Sequence, residues 1–248
     1  MESQVPLYGV AIAVTVLAGF VRGASGFGGP MILVPTLQLV FGPKSGVLIT
    51  LIIDLLANVR LVPDAKRDAS PAILKPMLLG ALIGLPGGII FLAWTEPTLA
   101  RRIISAILLL CVVLVLIGWR WPRAMDRKEL AAAGALGGLS LGASGVCVIV
   151  NIALQAGHHS AVASRANFIV WAFAATIVAI AALFATGALN AAGLPGPRQL
   201  LVLTVIFAPA YLLGIVSGVY LYRRINERLL RLSTLWFAAI VAAIGLFV

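Results

Sequence analysis

The stretch Gly19-Phe-Val-Arg-Gly-Ala-Ser-Gly-Phe-Gly-Gly-Pro30 interrupts a long apolar run, and its core, Gly23-Ala-Ser-Gly26, returns later in the chain as Gly142-Ala-Ser-Gly145. Two or more glycines within a few residues favour a break in a helix, because glycine adopts the left-handed conformations that a helix excludes. The repetition extends beyond the breaks. Gly19, Gly23 and Gly26 match Gly138, Gly142 and Gly145 at one constant offset, while Gly84, Gly88 and Arg101 match Gly214, Gly218 and Arg231 at a second. The chain thus reads as two related halves, each opening on an interrupted apolar segment.

Composition says what surrounds those segments. The 248 residues are 62% hydrophobic and only 10% charged, far less charge than a soluble domain of this size carries. Apolar stretches able to cross a hydrocarbon layer recur at Leu48 to Val62, Ile73 to Ala93, Ile103 to Trp121, Ala161 to Ala185, Leu200 to Leu221 and Leu229 to Val248. This is the pattern of a polytopic helical membrane protein. Met1 to Gly9 holds Glu2 and no Lys or Arg, so the basic region of a cleavable signal peptide is missing and the first apolar segment is expected to stay. Cys111 and Cys147 sit in apolar surroundings at unrelated positions of the two halves, which suits packing rather than a disulfide or a metal site. The net charge of +10 is spread over short loops between apolar segments, where it reports topology and not a nucleic-acid surface.

Those loop charges choose between two courses for each broken segment. If Leu7 to Phe41 and Leu130 to Ala156 each cross once, nine basic residues lie on one side and eight on the other, leaving Arg22 aside. If each turns back at its break, the groups Arg60 to Lys75, Arg120 to Lys128, Arg165 and Arg223 to Arg231 share a side, and the division becomes thirteen against four. Membrane proteins concentrate Lys and Arg in their cytoplasmic loops, so the second arrangement is expected, with both termini outside the cytoplasmic (inner) membrane. Each half then has an odd number of crossings and the second is inverted relative to the first. The expected architecture is all-α, with two inverted repeats, each a re-entrant or short helical hairpin plus three transmembrane helices. The first repeat covers residues 1–122 (hairpin about 7–41, helices about 45–62, 72–94 and 99–121). The second covers 128–248 (hairpin about 130–156, helices about 160–187, 198–222 and 228–248). Inverted repeats with interrupted helices recur among secondary transporters.

Two kinds of glycine separate in this scheme. Gly80, Gly84 and Gly88, with Gly134, Gly138 and Gly142 and with Gly214 and Gly218, recur every fourth residue and line one helix face for close packing. Gly23, Gly26 and Gly28, and Gly145 with its neighbours, belong to the breaks. Gly26-Phe27-Gly28-Gly29 is no dinucleotide fingerprint, since no strand precedes it, and no phosphate-loop lysine follows. A helix restarting after Gly26 presents free N–H groups and a positive dipole end, to which Ser25 adds a hydroxyl; Ser144 repeats this in the second half. Two such tips entering from opposite faces would form a donor-rich chamber suited to a small oxyanion.

Charges at membrane depth are few. Arg22 adjoins the first break, Asp54 lies in the second apolar segment, and Arg165 stands early in Ala161 to Ala185. An isolated charge there is costly, so each needs a partner, water or a ligand. Arg22 has three readings: contact with an anionic substrate, an ion pair with Asp54, or snorkelling to the interface. Arg165 either contacts substrate or snorkels. Asp54 either carries a coupling proton or forms a static pair with Arg22. Asn58, Asn151 and Asn167 are intramembrane amides that line the path or hydrogen-bond between helices. His158 and His159 have no Cys, Asp or Glu at ligand spacing, so no metal site and no cofactor is expected. No Ser-His-Asp or paired-carboxylate constellation assembles either, which speaks against an enzyme.

The motif Gly23-Ala-Ser-Gly-Phe-Gly-Gly-Pro30 followed by Leu33-Val-Pro35, with the second Gly142-Ala-Ser-Gly145 heading a similar half, resembles the sulfite exporter TauE/SafE family of membrane permeases, also called TSUP. The resemblance spans essentially the whole chain. It implies transport of a small sulfur-containing anion such as sulfite, a sulfonate or sulfoacetate, in either direction. After Gly145 the second half continues as Val146-Cys-Val-Ile149 instead of a glycine-rich run, which moves the expected site towards the first hairpin. The expected contacts are Arg22, Gly23, Ser25, Gly26, Phe27, Gly28, Ser144, Gly145, Asn151 and Arg165, with Asp54 as proton carrier or ion-pair partner and Asn58 and Asn167 along the path. Expected partners are the anion and the lipid bilayer, with no nucleic acid; a homo-oligomer is left open. A passive anion channel and a membrane assembly protein without transport remain as alternatives to the permease with alternating access.

Overall fold

The computed structural model describes residues 5–26, 28–117, 125–156, 160–185 and 196–221, together with Trp236, Ala239, Ile240 and Ala243. The described residues form helices and no strand: α1 (Val5–Ser25), α2 (Gly29–Phe41), α3 (Pro43–Ala65), α4 (Pro71–Trp94), α5 (Pro97–Ile117), α6 (Arg127–Ser144), α7 (Val148–Ala156), α8 (Ala161–Ala185) and α9 (Pro197–Leu221). Local chemistry sets most of their ends. Pro43, Pro71, Pro97 and Pro197 are first helical residues, where the missing N–H has no intrahelical partner to lose. A capping box starts α6: Glu129 N donates to the Asp126 carboxylate at 2.8 Å, and Asp126 N donates to the Glu129 carboxylate at 2.9 Å. Glycines in the left-handed conformation end α1 at Gly26 (φ 79°) and α6 at Gly145 (φ 69°).

Five of these helices are long and apolar enough to cross a membrane: α3, α4, α5, α8 and α9 each contain an apolar 18-residue window. The 13 residues of α2 and the 9 of α7 are too short to cross, because at about 1.5 Å rise per residue neither reaches about 30 Å. The protein is an all-α polytopic membrane protein. The helix predicted over 228–248 lies outside the described residues except at single positions.

The broken segments turn back. Tyr8, near the start of α1, meets Phe41, the last residue of α2, with ring centroids 5.6 Å apart. A single kinked crossing would separate those ends by the summed lengths of both helices. In the second pair Ser140 of α6 donates to the carbonyl of Val146 at 2.7 Å, and a methyl at Gly137 would strike the Val150 side chain.

Two compact units draw helices from both halves of the sequence. One comprises residues 1–57, 96–112 and 192–248, and the other 58–95 and 113–191. In the first, α1 packs along α9: a methyl at Gly19 or Gly23 would overlap the carbonyls of Tyr211 or Ile215, and one at Gly214 or Gly218 those of Val16 or Phe20. In the second, α6 packs along α4: Gly138 and Gly142 face the carbonyls of Ala81 and Leu85, while Gly84 and Gly88 face those of Ala135 and Leu139. Each contact in one unit maps onto a contact in the other by the same two offsets that align the sequence halves. The duplicated glycines thus make the same backbone-to-backbone helix pair twice. Where lipid offers no hydrophobic gain for helix association, such close approach supplies dispersion and weak Cα–H···O contacts instead.

Candidate functional site

In the first unit the break between α1 and α2 lies against the most polar buried cluster described. Arg22, one turn before the end of α1, is 1% exposed, and Asp54 of α3 is 7% exposed. Arg22 Nη2 donates to Asp54 Oδ2 at 3.1 Å, and Nε approaches Oδ1 at 3.0 Å. The second approach is electrostatic, because its N–H is not aligned for a hydrogen bond. Nη1 donates to the carbonyl of Gly26 at the tip itself. Tyr211 of α9, fully buried, donates its hydroxyl to Asp54 Oδ1 at 3.0 Å. Of the readings open for Arg22 and Asp54, the structure forms the ion pair. It is a charge-assisted contact in a setting of low dielectric, where removing one partner strands the other.

The restart of the chain opens onto the same cluster. Gly28 is left-handed (φ 91°) and caps α2, whose first residue Gly29 sits so close to the Tyr211 hydroxyl and Arg22 Cβ that a side chain there would collide with both. The first N–H groups of a helix have no intrahelical partner. At α2 that supply is reduced, since Pro30 has no N–H and Met31 N turns back to Gly28 O at 3.1 Å. Phe27 and the Ser25 side chain, both expected contacts, lie outside the described residues.

The second break is closed upon itself. Ser144 Oγ donates to Ser140 O at 2.7 Å, Val146 N reaches Ser144 Oγ at 3.4 Å, and Ser140 Oγ donates to Val146 O at 2.7 Å. The hydroxyl expected to face a ligand spends its proton within its own helix. By the repeat offsets, Arg22 and Tyr211 correspond to Leu141 and Ala81, both buried.

A model of the sulfite exporter TauE/SafE family matches residues 11–245. The chain belongs to this family. No curated protein and no solved structure matches it. The TauE/SafE family is one of membrane permeases described as sulfite exporters, and the buried ion pair at a broken helix is therefore found in a transport protein.

The other residues expected to serve this TauE/SafE protein are dispersed. Asn151 of α7 is buried, its Oδ1 accepting from Gln155 at 3.1 Å. Asn167 of α8 accepts from Ser70 N at 2.7 Å, tying the α3–α4 turn to α8; its Nδ2 is buried with no hydrogen-bond partner among the described residues. Asn58 is fully buried, and Arg165 is half-buried on the first turns of α8. Lys44, one of the four basic residues that the loop count leaves on the outer side, is the second residue of α3 and only 6% exposed. His158 and His159 lie outside the described residues, and among the described ones no three His, Cys, Asp or Glu gather as a metal site would require.

Sequence reasoning missed Tyr211 and Gln38. Tyr211 sits in an apolar run, and its one signal is a hydroxyl on the glycine-lined face of α9, three residues before Gly214. Gln38 of α2 is fully buried, donates to Ser105 Oγ at 3.3 Å, and keeps its Oε1 unpartnered among the described residues.

Proposed function

We propose that this TauE/SafE protein is a secondary permease for a small sulfur-containing oxyanion, sulfite or a sulfonate, and that the anion is handled at the first hairpin tip. The observation that carries this reading is the convergence of a buried cation, Arg22, and the N-terminus of α2 at the left-handed Gly26 and Gly28. A positive helix end and a guanidinium are what a small oxyanion needs once it leaves water. Left-handed Gly26 and Gly28 let backbone approach the ligand, whereas Gly23, expected at the site, instead holds α1 against α9; Ser25 and Phe27 are the other residues of the break in sequence. Arg165, Ser144, Gly145, Asn151, Asn58 and Asn167 belong to the second unit, on the remainder of the path.

In this reading transport proceeds by alternating access around the two hairpins, whose shorter arms α2 and α7 do not cross. With each hairpin returning to its own side, loop charge places Arg60 to Lys75 in the cytoplasm, both termini outside, and the second half inverted. Reporters at the N-terminus and at exposed Arg67 are then expected on opposite faces of the membrane; a shared face would contradict this topology. The functional test is exchange of labelled sulfite, sulfoacetate or methanesulfonate by the purified full chain in proteoliposomes. Saturable exchange supports a permease. Unsaturable, purely potential-driven conductance would point to a channel, and no flux of any of the three would defeat the reading.

A further inference from the structure

We propose that Asp54 and the transported anion exchange places on Arg22, so that each anion crosses together with one proton. This rests on the permease reading above and adds its coupling ion. Among the described residues the resting cluster is neutral: one guanidinium, one carboxylate and a tyrosine hydroxyl, at 1% exposure for Arg22 and none for Tyr211. A monoanion entering by itself would leave a net buried charge, which a low-dielectric interior resists. A proton arriving on Asp54 keeps the cluster neutral.

The geometry assigns that proton to one oxygen. Tyr211 donates to Asp54 Oδ1, and Arg22 Nη2 donates to Oδ2. A proton added to Oδ2 turns the acceptor facing the guanidinium into a donor, which breaks the Nη2 contact and frees that N–H for the oxyanion. Tyr211 can keep donating to Oδ1, so it acts as a positioning residue that holds the neutral carboxyl in place. Nη1 remains on the Gly26 carbonyl and holds Arg22 at the tip, where Gly29 begins α2. The balance is simple: carboxylate plus proton gives carboxylic acid, and the anion takes over the Arg22 contact that the carboxylate gave up.

Among the described residues, the ionisable groups on the elements around the cluster are these. Arg22 faces Asp54 from α1 and Tyr211 from α9; α2 carries no ionisable side chain. On α3 itself Lys44 stands nearly three turns before Asp54, while Arg60 and Asp64 lie exposed beyond it. In α5 the basic residues are Arg101 and Arg102, in its first two turns.

Proteoliposomes holding the full chain test this in two stages. Exchange of labelled methanesulfonate, sulfoacetate or sulfite at equal pH on both sides establishes transport; its absence in the wild type overturns the permease reading and this inference with it. A pH gradient, acid outside, is then imposed with the membrane potential clamped, using whichever sulfonate exchanges. One proton per anion predicts about tenfold accumulation for each pH unit, with matching acidification of the lumen. Exchange without gradient-driven accumulation overturns the inference while leaving the permease intact. Asp54→Asn, a neutral shape mimic of the protonated acid, is expected to lose gradient-driven accumulation, and whatever exchange it retains should no longer respond to the pH gradient. Persistence of that accumulation in a monodisperse Asp54→Asn protein removes Asp54 as the carrier. If the variant does not insert, the wild-type proton flux decides alone.

Discussion

The two hairpin units share a frame and differ at the positions that carry charge. In both, a glycine-striped helix before a left-handed glycine packs along a second striped helix drawn from the other half of the sequence, with matching contacts at Gly19, Gly23, Gly214 and Gly218 and at Gly138, Gly142, Gly84 and Gly88. Where the first unit has Arg22 and Tyr211 on Asp54, the second has Leu141 and Ala81, and its tip is tied by Ser140 and Ser144 to its own backbone. The frame is therefore a property of the repeat, whereas the buried Arg22–Asp54 pair belongs to one copy. A duplicated scaffold tolerates this because glycine packing needs only small residues along the stripe and is indifferent to what the other helix faces carry.

Breaking the charged pair is expected to have the largest effect. Arg22→Leu copies the second unit's residue but strands Asp54, at a cost of about 3–5 kcal/mol, read as loss of monodisperse protein or a large fall in unfolding temperature in detergent. Leu141→Arg is expected to cost a similar amount by burying a cation with no carboxylate opposite. The double variant Arg22→Leu/Asp54→Leu removes both charges, and its stability should return close to that of the wild type. If Arg22→Leu alone unfolds no earlier than the wild type, the pair is not buried as described.

The shared frame offers the next test. Gly23→Val and Gly142→Val each push a side chain into a backbone carbonyl of the opposing helix, and each should cost up to about 3 kcal/mol by overpacking. Similar losses in the two units confirm equivalence of the helix pairs; a loss in only one breaks it. Smaller effects separate the two polar clusters. Tyr211→Phe, which removes a hydrogen bond to a charged group, is expected to cost about 2 kcal/mol and to slow transport. Ser140→Ala should cost about 1 kcal/mol and leave anion exchange within about twofold of the wild type. Equal transport losses in these two variants would mean that both tips handle the anion.

Much of this frame was legible because its signals are periodic or local. Glycines every fourth residue mark a face wherever the helix lies, and prolines at Pro43, Pro71, Pro97 and Pro197 mark helix starts by backbone chemistry alone. The turn at each break was legible less directly, through the division of Lys and Arg among loops, and the meeting of Tyr8 with Phe41 shows it for the first hairpin. The pairing of Arg22 with Asp54 could be named as one of several options, since few charges share the apolar segments. Tyr211 could not, because a tyrosine in an apolar helix looks the same whether its hydroxyl reaches a carboxylate 157 residues away or the lipid interface. Lys44 was misplaced for a related reason. Counting charge between apolar runs takes Lys44 as a cation of the connection before the second apolar segment, but α3 begins at Pro43 and buries Lys44 in its first turn.

The central claim, that the anion is handled by the copy with the buried ion pair, is tested most directly by labelled sulfonate exchange in proteoliposomes of the Arg22→Leu/Asp54→Leu double variant. The account predicts wild-type stability with exchange reduced at least about tenfold, the equivalent of roughly 1.4 kcal/mol of lost interaction. Exchange within about twofold of the wild type, under the same roughly 1.4 kcal/mol per decade scale, would contradict it.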